Sequence, residues 1–457
     1  MERFALKKLV AWKNSDTRKP LLFLGARQVG KTWLLKEFGQ KYFEKTAYFK
    51  FDNNARLSTF FDGDYNVTRI IPLLELEAGF KFDPENTLLI FDEIQICPRA
   101  ITSLKYFCED AREYCIAAAG SMLGVEEHKG SGWPVGKIDK LILYPMSFSE
   151  FMVASKNEIM LEPLKNYDKA IIKTFMDKYT ELLKNYYFVG GMPEVVQTFI
   201  DSKDYFATRK MQESLLDNYK DDFSTHAPAP EIEKIYALWD SIPVQLAKER
   251  KTFIYKEVLK GGRTRTLADP LRFLTNAGLC YKIPRVQSPG IPLDAYKDDA
   301  FKLFFLDVGL LGAKSNLSPK TLLDGNQIFK EFKGALAEEF VLQEFKAYFD
   351  QKLFYWSAER SANEIDFLIQ DDSNFIPIEV KSEQNLKAKS LKAFCQKYKP
   401  QTAVRFSLQQ PSFSSVPFEN ENGAYRLCDI PLFAIENWQK FAGEEEKEYT
   451  SKNYKPL

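Results

Sequence analysis

Histidine is nearly absent: His128 and His226 are the only two in 457 residues, and they lie far apart in the chain. A histidine-built catalytic metal site is thereby excluded, because such sites draw most of their ligands from imidazole. The six cysteines (Cys97, Cys108, Cys115, Cys280, Cys395 and Cys428) contain no C-x-x-C pair. They read as buried free thiols of a cytosolic protein, not as a zinc site or a disulfide frame. Net charge is missing too, since 63 Lys plus Arg balance 63 Asp plus Glu. That argues against a whole-molecule polycation coating DNA, while leaving room for a local basic face. No stretch reaches the ~20 apolar residues that span a bilayer. The N-terminus MERFALKKLVAWKN carries lysines inside its apolar pattern, unlike the core of a signal peptide. The expectation is a cytoplasmic protein with no membrane partner. Phenylalanine, by contrast, is plentiful at 38, which favours well-filled cores.

At roughly 150 residues per domain the length suggests about three domains. Phe4, Leu6, Leu9, Val10 and Trp12 recur at near-helical spacing and predict an amphipathic first helix. Short apolar runs then alternate with helical segments: PLLFLG at 20–25, TAYFKF at 46–51, TLLIF at 87–91 and YCIAAAGS at 114–121. Continuous apolar strands between helices are what a buried parallel sheet requires. Residues 165–250 read as helical and highly charged, broken at VGGMP (189–193). From 254 to 310 an apolar helix, a stop at Gly278 and a strand suggest a winged helix, with Arg263, Arg265 and Arg272 as phosphate contacts or as part of a lid. The chain restarts near 328 with a helix followed by alternating strands.

Gly25-Ala26-Arg27-Gln28-Val29-Gly30-Lys31-Thr32 fits G-x-x-x-x-G-K-[ST], with a strand before it and a helix from Trp33 after it. Glycines let the backbone curl so that successive N–H groups face phosphate, and the helix N-terminus adds favourable partial charge. Lys31 then reaches the β- and γ-phosphates and the Thr32 hydroxyl ligates Mg²⁺, making ATP and Mg²⁺ the expected cofactors. Leu88-Leu89-Ile90-Phe91-Asp92-Glu93 ends an apolar strand in two carboxylates. Asp92 is expected to hold Mg²⁺, mostly through water, and Glu93 to orient and polarise the attacking water as catalytic base. Gly120-Ser121 ends the next strand, where Ser121 either touches the γ-phosphate or is an ordinary strand-end serine.

A second constellation lies near the C-terminus. Asn363-Glu-Ile-Asp366-Phe-Leu-Ile is a strand pattern carrying an acid, and Ile376-Pro-Ile-Glu379-Val-Lys381 follows. Glu379 and Lys381 are two apart on a strand and share a face. Asp366 and Glu379 can gather around a divalent cation with Lys381 left to stabilise charge, and Glu338 or Glu339 on the preceding helix can add an acid. Solvated charge on a half-exposed sheet is the competing reading. The lysines at 387, 389, 392, 397 and 399 either track phosphates or form a solvated helix face.

The segments GARQVGKT, LLIFDEIQ, AAAGSML, LYPMSFSEF (143–151), YFVGGMPEVV (187–196) and EIDFLI…IEVKS together resemble prokaryotic AAA-type P-loop ATPases. In that group the C-terminal region is a domain of unknown function with a restriction-endonuclease-like core. The resemblance covers most of the chain. It implies an α/β protein with an AAA-ordered parallel sheet, helices on both faces, and Ser121 as the sensor at a strand tip. It also matches Asp366, Glu379 and Lys381 to the PD-(D/E)xK pattern, with Glu338 in the helical acid position. Many relatives place an arginine finger shortly before the LYPMSFSEF-type segment. This chain has Lys137 there, and lysine cannot make arginine's bidentate contact, so no finger is named and homo-oligomerisation stays open.

The resulting division is an ATPase core at 1–155, a helical lid or linker at 156–250, a winged-helix-like region at 251–320, a nuclease-like α/β domain at 321–440 and a charged tail at 441–457. The leading expectation is a Mg²⁺-dependent ATPase coupled to a nuclease-like domain acting on DNA. The alternatives are an ATP-dependent binding switch with an inactive nuclease-like docking domain, and a regulatory AAA protein with a protein partner.

Overall fold

The computed structural model describes residues 1–127, 132–320, 330–349, 351–358, 363–382, 389–419 and 421–442. His128, Lys387 and the charged tail beyond 442 lie outside them. The chain forms two compact units. The first is Met1–Tyr144 with Asn276–Leu279, and the second is Pro145–Thr275 with the described residues from Cys280 on.

The first unit is built on five parallel strands: β1 (Leu21–Gly25), β2 (Lys45–Lys50), β3 (Thr87–Asp92), β4 (Cys115–Ser121) and β5 (Asp139–Ile142). Their order is β2-β3-β4-β1-β5. β1, β3 and β4 are buried at every position, as strands covered on both faces must be. β2 sits at an edge and alternates between covered and open positions. The strand ends meet in register, with Gly25 beside Ser121 across the β1–β4 pair and Phe91 beside Ala118 across β3–β4. This brings the first residue of the glycine loop, the acidic strand end and the serine to one rim of the sheet. Helix Lys31–Tyr42 starts directly after Gly30 and buries Leu34, Leu35 and Phe38.

The second unit holds an eight-stranded mixed sheet. Its strands are β6 (Cys280–Val286), β7 (Lys297–Phe305), β8 (Phe354–Ser357), β9 (Glu364–Asp371), β10 (Asn374–Val380), β11 (Thr402–Ser407), β12 (Ser412–Pro417) and β13 (Ala424–Pro431). The order is β12-β13-β11-β10-β9-β8-β6-β7. A helix followed by an antiparallel β6–β7 hairpin is present, as the sequence at 254–310 suggests. The hairpin does not stand apart, however. β6 pairs parallel with β8 through Arg285–Tyr355 and Val286–Trp356, so the winged-helix-like stretch and the nuclease-like stretch share one sheet. Val286 lies in the same apolar cluster as Phe354, Trp356 and Ile365, which favours this pairing over a free-standing wing. A partner some 70 residues away leaves no trace in local periodicity, which is why the sequence suggests a boundary there.

The segment at 187–196, and the part of 143–151 that follows Tyr144, have a structural role within this unit. Ser147 caps helix Phe148–Ala154 in a reciprocal box with Glu150 and meets the Tyr348 hydroxyl at 2.6 Å. Met146 N–H donates to Gly191 O at 2.6 Å, and Gly191 N–H donates to Asp307 Oδ2 at 2.6 Å. Gln343 donates to Tyr186 Oη and Asp307. Gly190 has φ of +76°, and a Cβ there would lie 2.1 Å from Asp307 Oδ1. Only glycine satisfies both the left-handed backbone and that close approach.

Candidate functional site

The glycine loop leaves β1 at Gly25, where a Cβ would stand 2.5 Å from Leu143 O. Gln28 and Gly30 take positive φ values of 65° and 96°, and the chain enters the helix at Lys31. Backbone N–H groups at a helix start form a ready anion cradle. Lys31 Nζ turns back over the loop and donates to Gly25 O at 3.1 Å and Ala26 O at 2.8 Å. Burial pushes the Lys31 ammonium down to about 8, although Glu93 and Asp92 pull it back up. Trp33, next along the helix, is 44% exposed.

Asp92 closes β3 against this loop. The Thr32 hydroxyl donates to Asp92 Oδ2 at 2.9 Å, and the Tyr48 hydroxyl donates to the same oxygen at 2.7 Å. Tyr48 stands on β2, and burial together with the Asp92 carboxylate pushes its phenol above its ordinary range. A hydroxyl and a carboxylate facing a phosphate cradle are the donor set that Mg²⁺ uses in nucleotide sites. The residues present fit that ion.

Glu93 adopts a left-handed backbone, φ 53°, which is strained for a non-glycine residue and concentrates at functional positions. Gln95 Nε2 donates to Glu93 Oε2 at 2.5 Å. Gln95 is itself buried against Gly120 and Gly124, where any Cβ would collide with its side chain. Gln95 Oε1 is buried and has no protein partner. Ser121, also buried, accepts the Gly124 N–H at 3.2 Å. Residues 25–33, 92, 93 and 121 therefore converge on one rim. Tyr48 and Gln95 belong beside them, although sequence reasoning does not single them out. Gln95 lies within the LLIFDEIQ segment, whereas nothing in the alternation of β2 distinguishes Tyr48.

The C-terminal acids also converge, but they do not stand free. Glu338 is 5% exposed, Glu379 4% and Lys302 0%. Lys302, on β7, pairs with Glu364 Oε1, with Glu338 Oε2 at 3.3 Å and with Asp366 Oδ1 at 3.8 Å. Lys251 pairs with Glu338 Oε1, and Lys381 with Glu379 Oε1. Asp366 Oδ2 accepts the Val380 N–H at 2.7 Å. Burial would raise the Glu338 carboxyl, yet Lys251 and Lys302 hold it at about 2. Burial raises Asp366 well above its usual range, and Glu338 and Glu379 add to the shift. Glu339 points elsewhere and accepts the Phe305 N–H at 2.9 Å. Among the described residues no group of three or more His, Cys, Asp or Glu is placed to hold a metal ion. Glu338, Asp366 and Glu379 are assembled, but the ammonium groups of Lys251, Lys302 and Lys381 pair with them, so the cluster as built does not fit a divalent metal.

Four of the basic candidates are paired with an acid. Lys392 pairs with Glu419 at 2.9 Å and Lys399 with Glu421 at 3.7 Å. Lys137 pairs with Glu109 at 3.0 Å, and Arg272 with Asp269 at 3.3 Å.

Comparison with known families finds a match over the first unit. Residues 17–152 match an AAA domain. Over those residues the chain is similar to AAA-type domains. Residues 180–321 match a domain of unknown function (DUF8612) and residues 333–422 another (DUF4143). No curated protein matches the chain in sequence. Among solved structures, the Walker-type ATPase of Pyrococcus abyssi is similar at 12% identity, covering 69% of this chain and 95% of its own, with a TM-score of 0.45. The Orc1 protein of Aeropyrum pernix, solved in complex with DNA, shows 12% identity over 69% of this chain and 93% of its own, TM-score 0.29. Cdc6p of Pyrobaculum aerophilum shows 11% identity over 70% and 93%, TM-score 0.24. No helix among the described residues is long and apolar enough to cross a membrane.

Proposed function

We propose that this protein is a Mg²⁺-dependent ATPase whose nucleotide state governs a C-terminal docking unit. The observation that carries the reading is the meeting of Thr32 and Asp92 at 2.9 Å beside the glycine loop. Backbone N–H groups from Gly25 to Trp33 cradle the phosphates, and Lys31 leaves the Gly25 and Ala26 carbonyls to reach the β- and γ-oxygens. Thr32 and Asp92 hold Mg²⁺, which when bound neutralises charge on the phosphate oxygens. Glu93 takes the proton of the attacking water, and Gln95 fixes the direction in which its carboxylate points. Ser121 lies beside Gly25 in the adjoining strand, and its hydroxyl would contact the γ-phosphate.

For the C-terminal unit the docking reading is favoured over cleavage by one observation, the Lys302 ammonium among Glu364, Glu338 and Asp366. Nucleic acid is the partner this reading carries over from the nuclease-like pattern of Asp366, Glu379, Lys381 and Glu338. Polarisation of a labelled duplex tests it, with the Glu93→Gln chain held in ATP, in ADP or without nucleotide. A nucleotide-dependent change in affinity is expected. Binding that ignores nucleotide overturns the switch, and no binding in any state moves the partner to protein.

A further inference from the structure

We propose that Lys302 stands where a nuclease of this carboxylate pattern holds its divalent cation, so that Glu338, Asp366 and Glu379 take up no Mg²⁺ or Mn²⁺. The inference is independent of the ATPase reading, since every residue in it belongs to the second unit. The ammonium is rooted in β7 with no exposed surface. Its neighbours come from three other elements: Glu338 on helix Lys330–Tyr348, Glu364 and Asp366 on β9, and the Tyr355 ring of β8, whose centroid lies 5.1 Å away.

The oxygens a cation would need are already engaged. Lys251 and Lys302 take the two oxygens of Glu338. Asp366 Oδ2 accepts the Val380 N–H, and Lys381 takes Glu379 Oε1. Within this cluster Glu379 Oε2 is the acidic oxygen left buried without a protein partner, and a single oxygen does not make a site for an ion that wants six ligands near 2.0–2.1 Å. The formal charges nearly cancel, three lysines (251, 302 and 381) against four acids (338, 364, 366 and 379). A cation entering this cluster must also displace an ammonium that has no exposed surface, and an unpaired buried ammonium is costly. The lysine is thus a built-in counter-ion that ties the helix to the sheet.

Mn²⁺ titration followed by loss of the free-ion paramagnetic resonance signal tests this in the 457-residue chain without nucleotide. A Thr32→Ala background silences the P-loop hydroxyl. With Lys302 intact, no Mn²⁺ binding is expected. Lys302→Met, or the smaller Lys302→Gln, is expected to gain one Mn²⁺ per chain that disappears again when Asp366→Asn is added. One Mn²⁺ bound with Lys302 intact and lost on Asp366→Asn overturns the proposal, and that arm needs no lysine variant to fold. A folded lysine variant that binds no Mn²⁺ also overturns it, because Lys302 would then not be what holds the cation's place.

Discussion

Gln95 Nε2 donates to Glu93 Oε2 at 2.5 Å, while the rest of the Gln95 side chain lies wedged against Gly120 and Gly124. The carboxylate expected to activate water is therefore held by a residue that also touches the strand tip carrying Ser121. An acid on a strained backbone turn gains a fixed direction from such a strut, and direction is what a general base needs.

Removing the strut has a measurable signature. Gln95→Ala is expected to lower kcat for ATP by about tenfold to a hundredfold, the scale set by small misplacements of catalytic groups. ATP affinity is expected to stay within about twofold, because Gln95 faces Glu93 and not the phosphate cradle. A fall in affinity matching the fall in turnover would assign Gln95 to the fold instead.

Tyr48 offers a second test at the same rim. Its hydroxyl shares Asp92 Oδ2 with Thr32. Tyr48→Phe deletes one donor while preserving the ring, and is expected to raise the Mg²⁺ concentration for half-maximal turnover by about tenfold, as loss of outer partners of metal ligands does. An unchanged Mg²⁺ requirement would make Tyr48 a packing residue.

Asp307 governs a pH effect in the second unit. Burial pushes its carboxyl up to about 6 from 3.8, although Gly191, Leu310 and Gln343 hydrogen bonds oppose the shift. A raised carboxyl binds more protons folded than unfolded across that window, so its contribution to stability is full below 3.8 and is lost as pH rises through about 6. The expected loss is on the order of 3 kcal/mol. Asp307→Asn removes this titration and sets an amide NH₂ among donors, which should destabilise the unit by about 1–3 kcal/mol at neutral pH. Thermal midpoints of the two proteins between about pH 4 and 7 check both statements; parallel curves would contradict the first.

Much of the N-terminal unit is legible in its residues alone. The apolar runs at 20–25, 46–51, 87–91 and 114–121 correspond to β1 to β4 within a residue or two at each end. Buried parallel strands announce themselves by continuous apolarity, and the P-loop spacing is set by phosphate geometry. The second unit is harder to read because its organisation is non-local. The β6–β8 pairing and the Lys251–Glu338 contact join residues about 70 to 90 positions apart, and no local window contains them. Lys302 does leave a trace, as a single charge within the apolar run of AFKLFF. A lone lysine flanked by phenylalanines and leucine on a strand signals a buried cation with acidic partners. The acids and Lys381 are visible as a sequence pattern, whereas the other two bases that neutralise them, Lys251 and Lys302, lie in two distant segments.

Phosphate release from ATP with Mg²⁺, measured beside ATP binding for the unaltered chain, Lys31→Ala and Glu93→Gln, tests the central claim most directly. The account predicts turnover by the unaltered chain and loss of nucleotide affinity in Lys31→Ala. It also predicts full ATP binding with turnover reduced by about 10²–10⁴ in Glu93→Gln. Undiminished turnover in Glu93→Gln, or undiminished affinity in Lys31→Ala, would contradict it.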